Sequence, residues 1–460
     1  MPSSTAQHDP SLTLHAEYLP NIRQVSLQVS VAGHADTNAE FGVSLSESRK
    51  AVLVSLPETN AGSESPPEIM KLPVRAGAAA RRVLNTHTSG RLNGSATTAL
   101  KVNNNGDKEA SRIWEYSCRI PVDDEDVQRS ALEEVMDAFV PWAAGDMHSS
   151  TRLRCKACER VFLDVPEVNI AIDPPQSGET AEPQSTGWTW KDLPSGNWAE
   201  MMDFWHCHKP DEHEDEDNIA SKRSAENENS KVKGYGASNQ VLASPGTVLV
   251  DVATFLFSDR DCNGLKKVLT EQTDNFQLSE KALLCEGCDK LIGVEDTIAK
   301  GWRLFKTSLS AGFLTEEELP GVRWDNHSTD VVVAAQLLEL IERESARRFI
   351  IHCGRRDGLL IWVFNPDMRY SSSSAEYSIT SQRAMKVFFQ TTSNVDELLH
   401  PELGKTSSLS LEELRLPPDT FTAFCHALEE SNSRLPPSAR TFQQEWRVGI
   451  LHRHERVKPT

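Results

Sequence analysis

Leu153-Arg154-Cys155-Lys156-Ala157-Cys158-Glu159-Arg160-Val161-Phe162 and Leu284-Cys285-Glu286-Gly287-Cys288-Asp289-Lys290-Leu291-Ile292 are the two stretches on which the fold turns. Each holds a C-x-x-C pair, and each continues as acid, base, apolar, apolar. A tight turn carrying two thiolates supplies half of a tetrahedral zinc shell, with Zn–S of about 2.3 Å, and two such turns close it with no open position. Cys155, Cys158, Cys285 and Cys288 are therefore expected to hold one structural zinc ion. A redox dithiol is the competing explanation, but it needs one pair at a strand-to-helix junction rather than two look-alike turns.

Composition bounds the rest. The chain has 460 residues, 38% of them hydrophobic, enough to bury substantial cores in two or three domains. No uncharged apolar run approaches the roughly 18 residues of a bilayer span, so a soluble chain without a membrane partner is expected. A net charge of −19, from 67 acidic against 48 basic residues, argues against nucleic acid as a partner, because phosphate neutralisation needs clustered Lys and Arg. Nine cysteines, an odd number, and a polar start from Met1 to Asp9 fit thiols and metal ligands in the cytoplasm, or also the nucleus.

The chain reads as an α+β, β-rich protein in three parts. Residues 1–125 alternate apolar and polar side chains at Val25, Leu27, Val29 and Val31, then at Val43 to Leu45 and Val52 to Val54, which predicts half-buried strands. Residues 57–67 and 85–111 read as loop insertions. Residues 126–299 form the zinc-knuckle domain. It opens with a helix to Phe139, carries Pro-rich (173–187) and acidic (211–233) insertions, and includes one strand over Thr247 to Phe257. Residues 300–460 form an α+β domain of strands and two packed helices. Thr329 and Asp330 read as the cap of one helix, with a stripe of Ala334, Leu337, Leu338 and Ile341; Pro417-Pro418-Asp419 opens the other, through Phe421, Phe424, Leu428 and Glu429, and Leu435-Pro436-Pro437 stops it.

Between the knuckles, Trp188, Trp190, Trp198 and Trp205 bring four of the ten tryptophans into a short segment. Such a cluster is either the core of a small zinc domain or a docking surface, and core packing is the simpler role. Within it, Trp205-His206-Cys207-His208 sets a thiol between two imidazoles. Cys207 has three roles open to it: a further zinc ligand, an activated nucleophile whose pKa an imidazole lowers, or a small buried filler.

These motifs, taken in order, resemble a known family. Leu153 to Cys158, then Leu193-Pro194-Ser195-Gly196-Asn197-Trp198 leading to Trp205-His206-Cys207-His208-Lys209-Pro210, then Leu284 to Gly293, are similar to the HECT-like ubiquitin-conjugating-enzyme-binding family of ubiquitin ligases. The resemblance implies binding of a charged ubiquitin-conjugating enzyme and passage of ubiquitin to a protein substrate through a cysteine thioester. Of the cysteines outside the knuckles (Cys118, Cys207, Cys262, Cys353, Cys425), Cys207 is the candidate nucleophile, with Trp198, Trp205 and His208 as candidate partner-binding residues. The family's namesake ligases carry the nucleophile in a separate C-terminal lobe, and residues 300–460 show no such motif. A non-catalytic zinc-stabilised adaptor accounts for the zinc, the aromatic residues and the acidity equally well.

Overall fold

The computed structural model describes residues 11–33, 42–55, 67–88, 97–102, 108–123, 139–165, 187–193, 241–268, 281–315, 321–354, 357–374, 377–400 and 411–456. It is β-rich, with four α-helices among the described residues. Most of the alternating segments become the expected strands. Val25, Leu27, Val29 and Val31 all point inward from the strand Gln24–Gly33, because a two-residue side-chain period sends every second residue to one face.

The largest sheet has ten strands and joins the two ends of the chain. Its path runs Thr441–Phe442, Trp446–His452, Tyr377–Thr392, Gly358–Ser374, Ser11–Leu19, Gln24–Gly33, Lys108–Pro121, Thr97–Val102. The long hairpin Gly358–Ser374/Tyr377–Thr392 makes this possible. Its far end pairs with the first strand, from Thr13 opposite Ser374 to Glu17 opposite Tyr370, while its near end pairs with Arg348–His352. On the N-terminal part of the sheet, a core of Leu14, Leu27, Val29 and Ile120 is completed by the three-stranded sheet Gly42–Leu45, Ala51–Ser55, Glu68–Lys71 and the helix Ala80–Thr88. On the C-terminal part, the helices Thr329–Glu344 and Pro418–Arg434 pack on each other and on Phe349, Ile351, Val387 and Phe389.

Two expectations are corrected. Residues 85–111 are not all loop: Thr97–Val102 pairs with Lys108–Pro121 at the sheet edge. Nor is Thr247 to Phe257 one strand. Thr247–Val250 and Thr254–Phe257 are separate and antiparallel, with Leu249 opposite Leu256. The Asp251 side chain makes the break by accepting the Val252 N–H at 2.8 Å and the Thr254 hydroxyl at 3.2 Å, a local pattern that competes with strand continuation. The helix expected to end at Phe139 lies outside the described residues except for Phe139 itself, which packs against the C-terminal core.

Two further sheets frame the centre. One has seven strands, in the order Thr189–Asp192, Thr247–Val250, Thr254–Phe257, Gly301–Phe305, Leu291–Asp296, Ala282–Cys285, Leu265–Val268. The other has four, in the order Gly321–Asp325, Leu309–Thr315, Arg152–Cys155, Val161–Leu163. A single 3-10 turn, Lys306–Ser308, carries the chain from the first to the second.

Candidate metal centre

The two knuckles are the same structure built twice. In the first, the Cys155 N–H donates to Arg160 O and the Glu159 N–H to Cys155 O. In the second, Cys285 donates to Lys290 O and Asp289 to Cys285 O, all at 2.8–3.0 Å. Leu153 pairs with Leu163 and Arg154 with Val161; Leu283 pairs with Gly293 and Leu284 with Leu291, each with a bulge at the same step. Glu159 and Asp289, the acids that follow each pair, both adopt a left-handed backbone, with φ of 65° and 58°. Asp and Glu at these positions turn the chain back into the return strand at a modest conformational cost.

The hairpins belong to different sheets, yet their thiols converge. Cys155 Sγ lies 3.7 Å from Cys288 Sγ, Cys158 Sγ lies 3.4 Å from Cys285 Sγ, and all four sulfurs lie within 4.8 Å of one another. A tetrahedron with bonds of about 2.3 Å sets its sulfurs about 3.8 Å apart, so the four thiols fit one tetrahedral ion. It is the sole group of three or more His, Cys, Asp or Glu ligand atoms so placed among the described residues.

The crossover turn holds the halves together. Ser308 accepts the Lys156 N–H on its carbonyl at 3.0 Å and donates its hydroxyl to Leu291 O at 3.1 Å, touching both knuckles at once. Its neighbour Lys306 is fully buried, with Nζ donating to Pro141 O at 2.7 Å and lying 4.9 Å from the centre of the Phe255 ring. Burial drives the Lys306 ammonium down to about 7, against the opposing pull of Asp251, Asp192 and Asp146.

Electrostatics around the thiols differ between positions. Burial pushes the Cys155 thiol up to about 12 and raises Cys285, whereas the Arg160 N–H bonding to the exposed Cys158 sulfur brings that thiol down to about 7. The Arg160 side chain crosses from its own knuckle to the other and pairs with Glu286 at 3.3 Å. It fits there because both flanking residues are glycines. A Cβ on Gly264 would stand 2.8 Å from Arg160 Cδ, and one on Gly287 would stand 3.2 Å from Arg160 Nε and from Cys158 Sγ. Lys290, the equivalent base of the second knuckle, reaches away and pairs with Asp419 at the start of the C-terminal helix, at 3.0 Å.

A family described as HECT-like ubiquitin-conjugating enzyme (E2)-binding matches residues 17–448. The chain belongs to this family. It is also 24% identical over 261 residues to the uncharacterized protein YJR141W of Saccharomyces cerevisiae, covering 56% of this chain and 61% of that protein. It is 23% identical over 323 residues to the uncharacterized protein C1734.10c of Schizosaccharomyces pombe, covering 68% and 77%. No solved structure matches.

Within the family motifs, the structure accounts for Gly293: a Cβ there would collide with Arg303 O on the neighbouring strand and lie 2.9 Å from Leu304 Cα. Trp188 and Trp190 serve the core, as expected: Trp188 is buried in the central cluster, Trp190 meets the Phe255 ring edge-on, and their indole N–H groups donate to Asp164 O at 2.9 Å and His148 O at 2.8 Å. Trp198, Trp205, Cys207 and His208 lie outside the described residues. Of the remaining cysteines, Cys118, Cys262 and Cys353 are buried. Cys425 is half-buried, and desolvation pushes its thiol up to about 11. Lys306 and the pivot at Ser308 were not singled out from the sequence; a lysine next to an apolar strand carries no periodic signal of burial.

Proposed function

We propose that the chain is a ubiquitin-protein ligase that binds a charged ubiquitin-conjugating enzyme and passes ubiquitin to substrate lysines through a thioester on Cys207, on a scaffold closed by one zinc ion. The observation that carries this is the family match, which spans nearly the whole chain rather than one module. The four-thiolate shell has no vacant position and serves the fold. Zinc is the ion this donor set favours: four thiolates in a tetrahedron, supplied by paired C-x-x-C turns.

A transfer cysteine must be a solvent-reachable thiolate, and among the described residues no cysteine outside the knuckles is one. Cys207 lies outside the described residues, and its neighbours His206 and His208 supply the imidazoles that favour a thiolate. The Cys207 thiolate attacks the thioester carbonyl of the charged enzyme and expels that enzyme's thiolate. A substrate amine then attacks the new thioester, expels the Cys207 thiolate and loses its proton. Trp198, Trp205 and His208 are proposed to contact the conjugating enzyme.

A thioester-trap assay with ubiquitin, activating enzyme and a panel of conjugating enzymes tests this. A thiol-sensitive ubiquitin adduct on the wild-type chain that disappears in Cys207→Ala is the expected result. An adduct that survives the substitution overturns the assignment of Cys207. The family description names binding rather than transfer, so the second function is that of a non-catalytic adaptor, for which binding without any adduct is the signature.

A further inference from the structure

The four thiols of the two knuckles differ in access. Cys155 and Cys285 are buried, at 1% and 0% exposure, Cys288 is half-buried and Cys158 lies open to solvent. Each knuckle thus has an inner and an outer sulfur, and the outermost of all belongs to Cys158. Cys158 Sγ stands 3.4 Å from the buried Cys285 Sγ of the other hairpin. Oxidation of a thiolate follows its exposure, so an oxidant arriving from solvent meets Cys158 first, with Cys285 beside it.

Several bonds hold the hairpins in register without passing through the sulfurs. Ser308 accepts the Lys156 N–H and donates to Leu291 O, and Arg160 crosses to Glu286 at 3.3 Å. Gly287 keeps the space beside Cys158 open, since a Cβ there would stand 3.2 Å from its sulfur. With both hairpins fixed in this way, the two sulfurs close from 3.4 Å to a disulfide bond of about 2.05 Å by a small movement. A disulfide within one knuckle would leave the two sheets without a covalent link. One between Cys158 and Cys285 joins them across 127 positions of chain, and a bridge over so long a loop constrains the unfolded chain strongly.

We propose that the two knuckles form a redox-convertible staple, in which a peroxide exchanges the zinc ion for a Cys158–Cys285 disulfide. The Cys158 thiolate attacks one peroxide oxygen, becomes a sulfenic acid and releases hydroxide. The Cys285 thiolate then attacks the Cys158 sulfur and expels a second hydroxide. The two thiolates lose two electrons in all, the O–O bond takes them as it breaks, and protons from solvent convert both hydroxides to water. Zinc keeps only Cys155 and Cys288 and departs. A dithiol reductant restores the four thiols, and zinc returns. The exchange rests on the zinc reading given above, so metal content is measured before any oxidant is added and the two fail separately.

The test takes the full chain through elemental analysis, then hydrogen peroxide with a chromogenic zinc chelator present, then digestion without reduction and mass spectrometry. The expected result is release of about one equivalent of zinc, a Cys158–Cys285 cross-link as the dominant disulfide, protease resistance equal to that of the untreated chain, and zinc uptake again after dithiothreitol. Cys158→His keeps a closed set of three thiolates and one imidazole but removes the exposed sulfur, so peroxide should release its zinc at least about fivefold more slowly. A dominant disulfide within one knuckle, or from Cys158 to any other cysteine, overturns the proposal. So does zinc that stays bound through the treatment, protease resistance lost on oxidation, or release from Cys158→His at the wild-type rate. A chain that carries no zinc before oxidation overturns the metal reading and the exchange with it. If Cys158→His does not hold zinc, the disulfide map of the wild type decides alone.

Discussion

The sulfurs of Cys158 and Cys285 lie 3.4 Å apart across 127 positions of chain, from hairpins in two different sheets. Four thiols this close gain little from one another; a shared cation would turn them into thiolates and hold the sheets together. With zinc as the proposed ion, the purified protein should carry about one equivalent, because metal binding and folding of such a site are one process. Cys285→Ser should lose most of the metal and expose the central sheets to protease. Elemental analysis beside limited proteolysis measures both, and a variant with full metal and unchanged resistance contradicts the site.

Arg160 is the cation built in beside the thiolates. Arg160→Met keeps the length of the side chain but removes its charge and its bond to Glu286. Outer residues of this kind typically tune metal affinity by about 10- to 100-fold. Zinc transfer to a chromogenic chelator should therefore speed up by about that factor while the circular dichroism spectrum stays unchanged. An unaltered transfer rate would leave Arg160 as a surface ion pair only.

Lys306 makes stability depend on pH in a defined direction. Its folded pKa of about 7 lies below the unfolded value of 10.5, so the unfolded chain binds more protons between those limits and stability rises with pH across them. The contribution is fully present above 10.5 and is lost as pH falls to about 7. Wild type should gain on Lys306→Met by up to about 1.4 kcal/mol per pH unit between pH 7 and 9. Urea unfolding of both proteins at pH 7 and 9 gives the difference directly, and a constant gap rules out the titration.

Gly293 leaves no room for a methyl group against Arg303 O and Leu304 Cα. Overpacking of this kind typically costs about 1–3 kcal/mol, and the obstacle here is backbone, which cannot rotate away. Gly293→Ala should lower the urea midpoint accordingly, while Gly246→Ala, where an added Cβ meets no atom within 4 Å, should cost only the strain of its φ of 76°. Equal losses at both positions would remove the steric account.

Local pattern determined a good deal of this protein. The repeat of Cys155-Lys156-Ala157-Cys158 in Cys285-Glu286-Gly287-Cys288 was enough to pair the knuckles, because ligand type and spacing are properties of a short turn. The alternation at Val25 to Val31 and the stripe at Ala334 to Ile341 likewise carried their own periods of 2 and 3.6 residues. What only the tertiary structure decided was which segments met at long range. The pairing of Thr13 with Ser374 welds the two ends of the chain into one sheet, and backbone hydrogen bonds between strands leave almost no mark on side-chain identity. The burial of Lys306, the double contact of Ser308 and the hydrogen-bonded line from Tyr370 through His452 to Asp330 share that origin. Each depends on partners 17 to 165 residues away, and a polar side chain shows its purpose only once its neighbours in space are fixed.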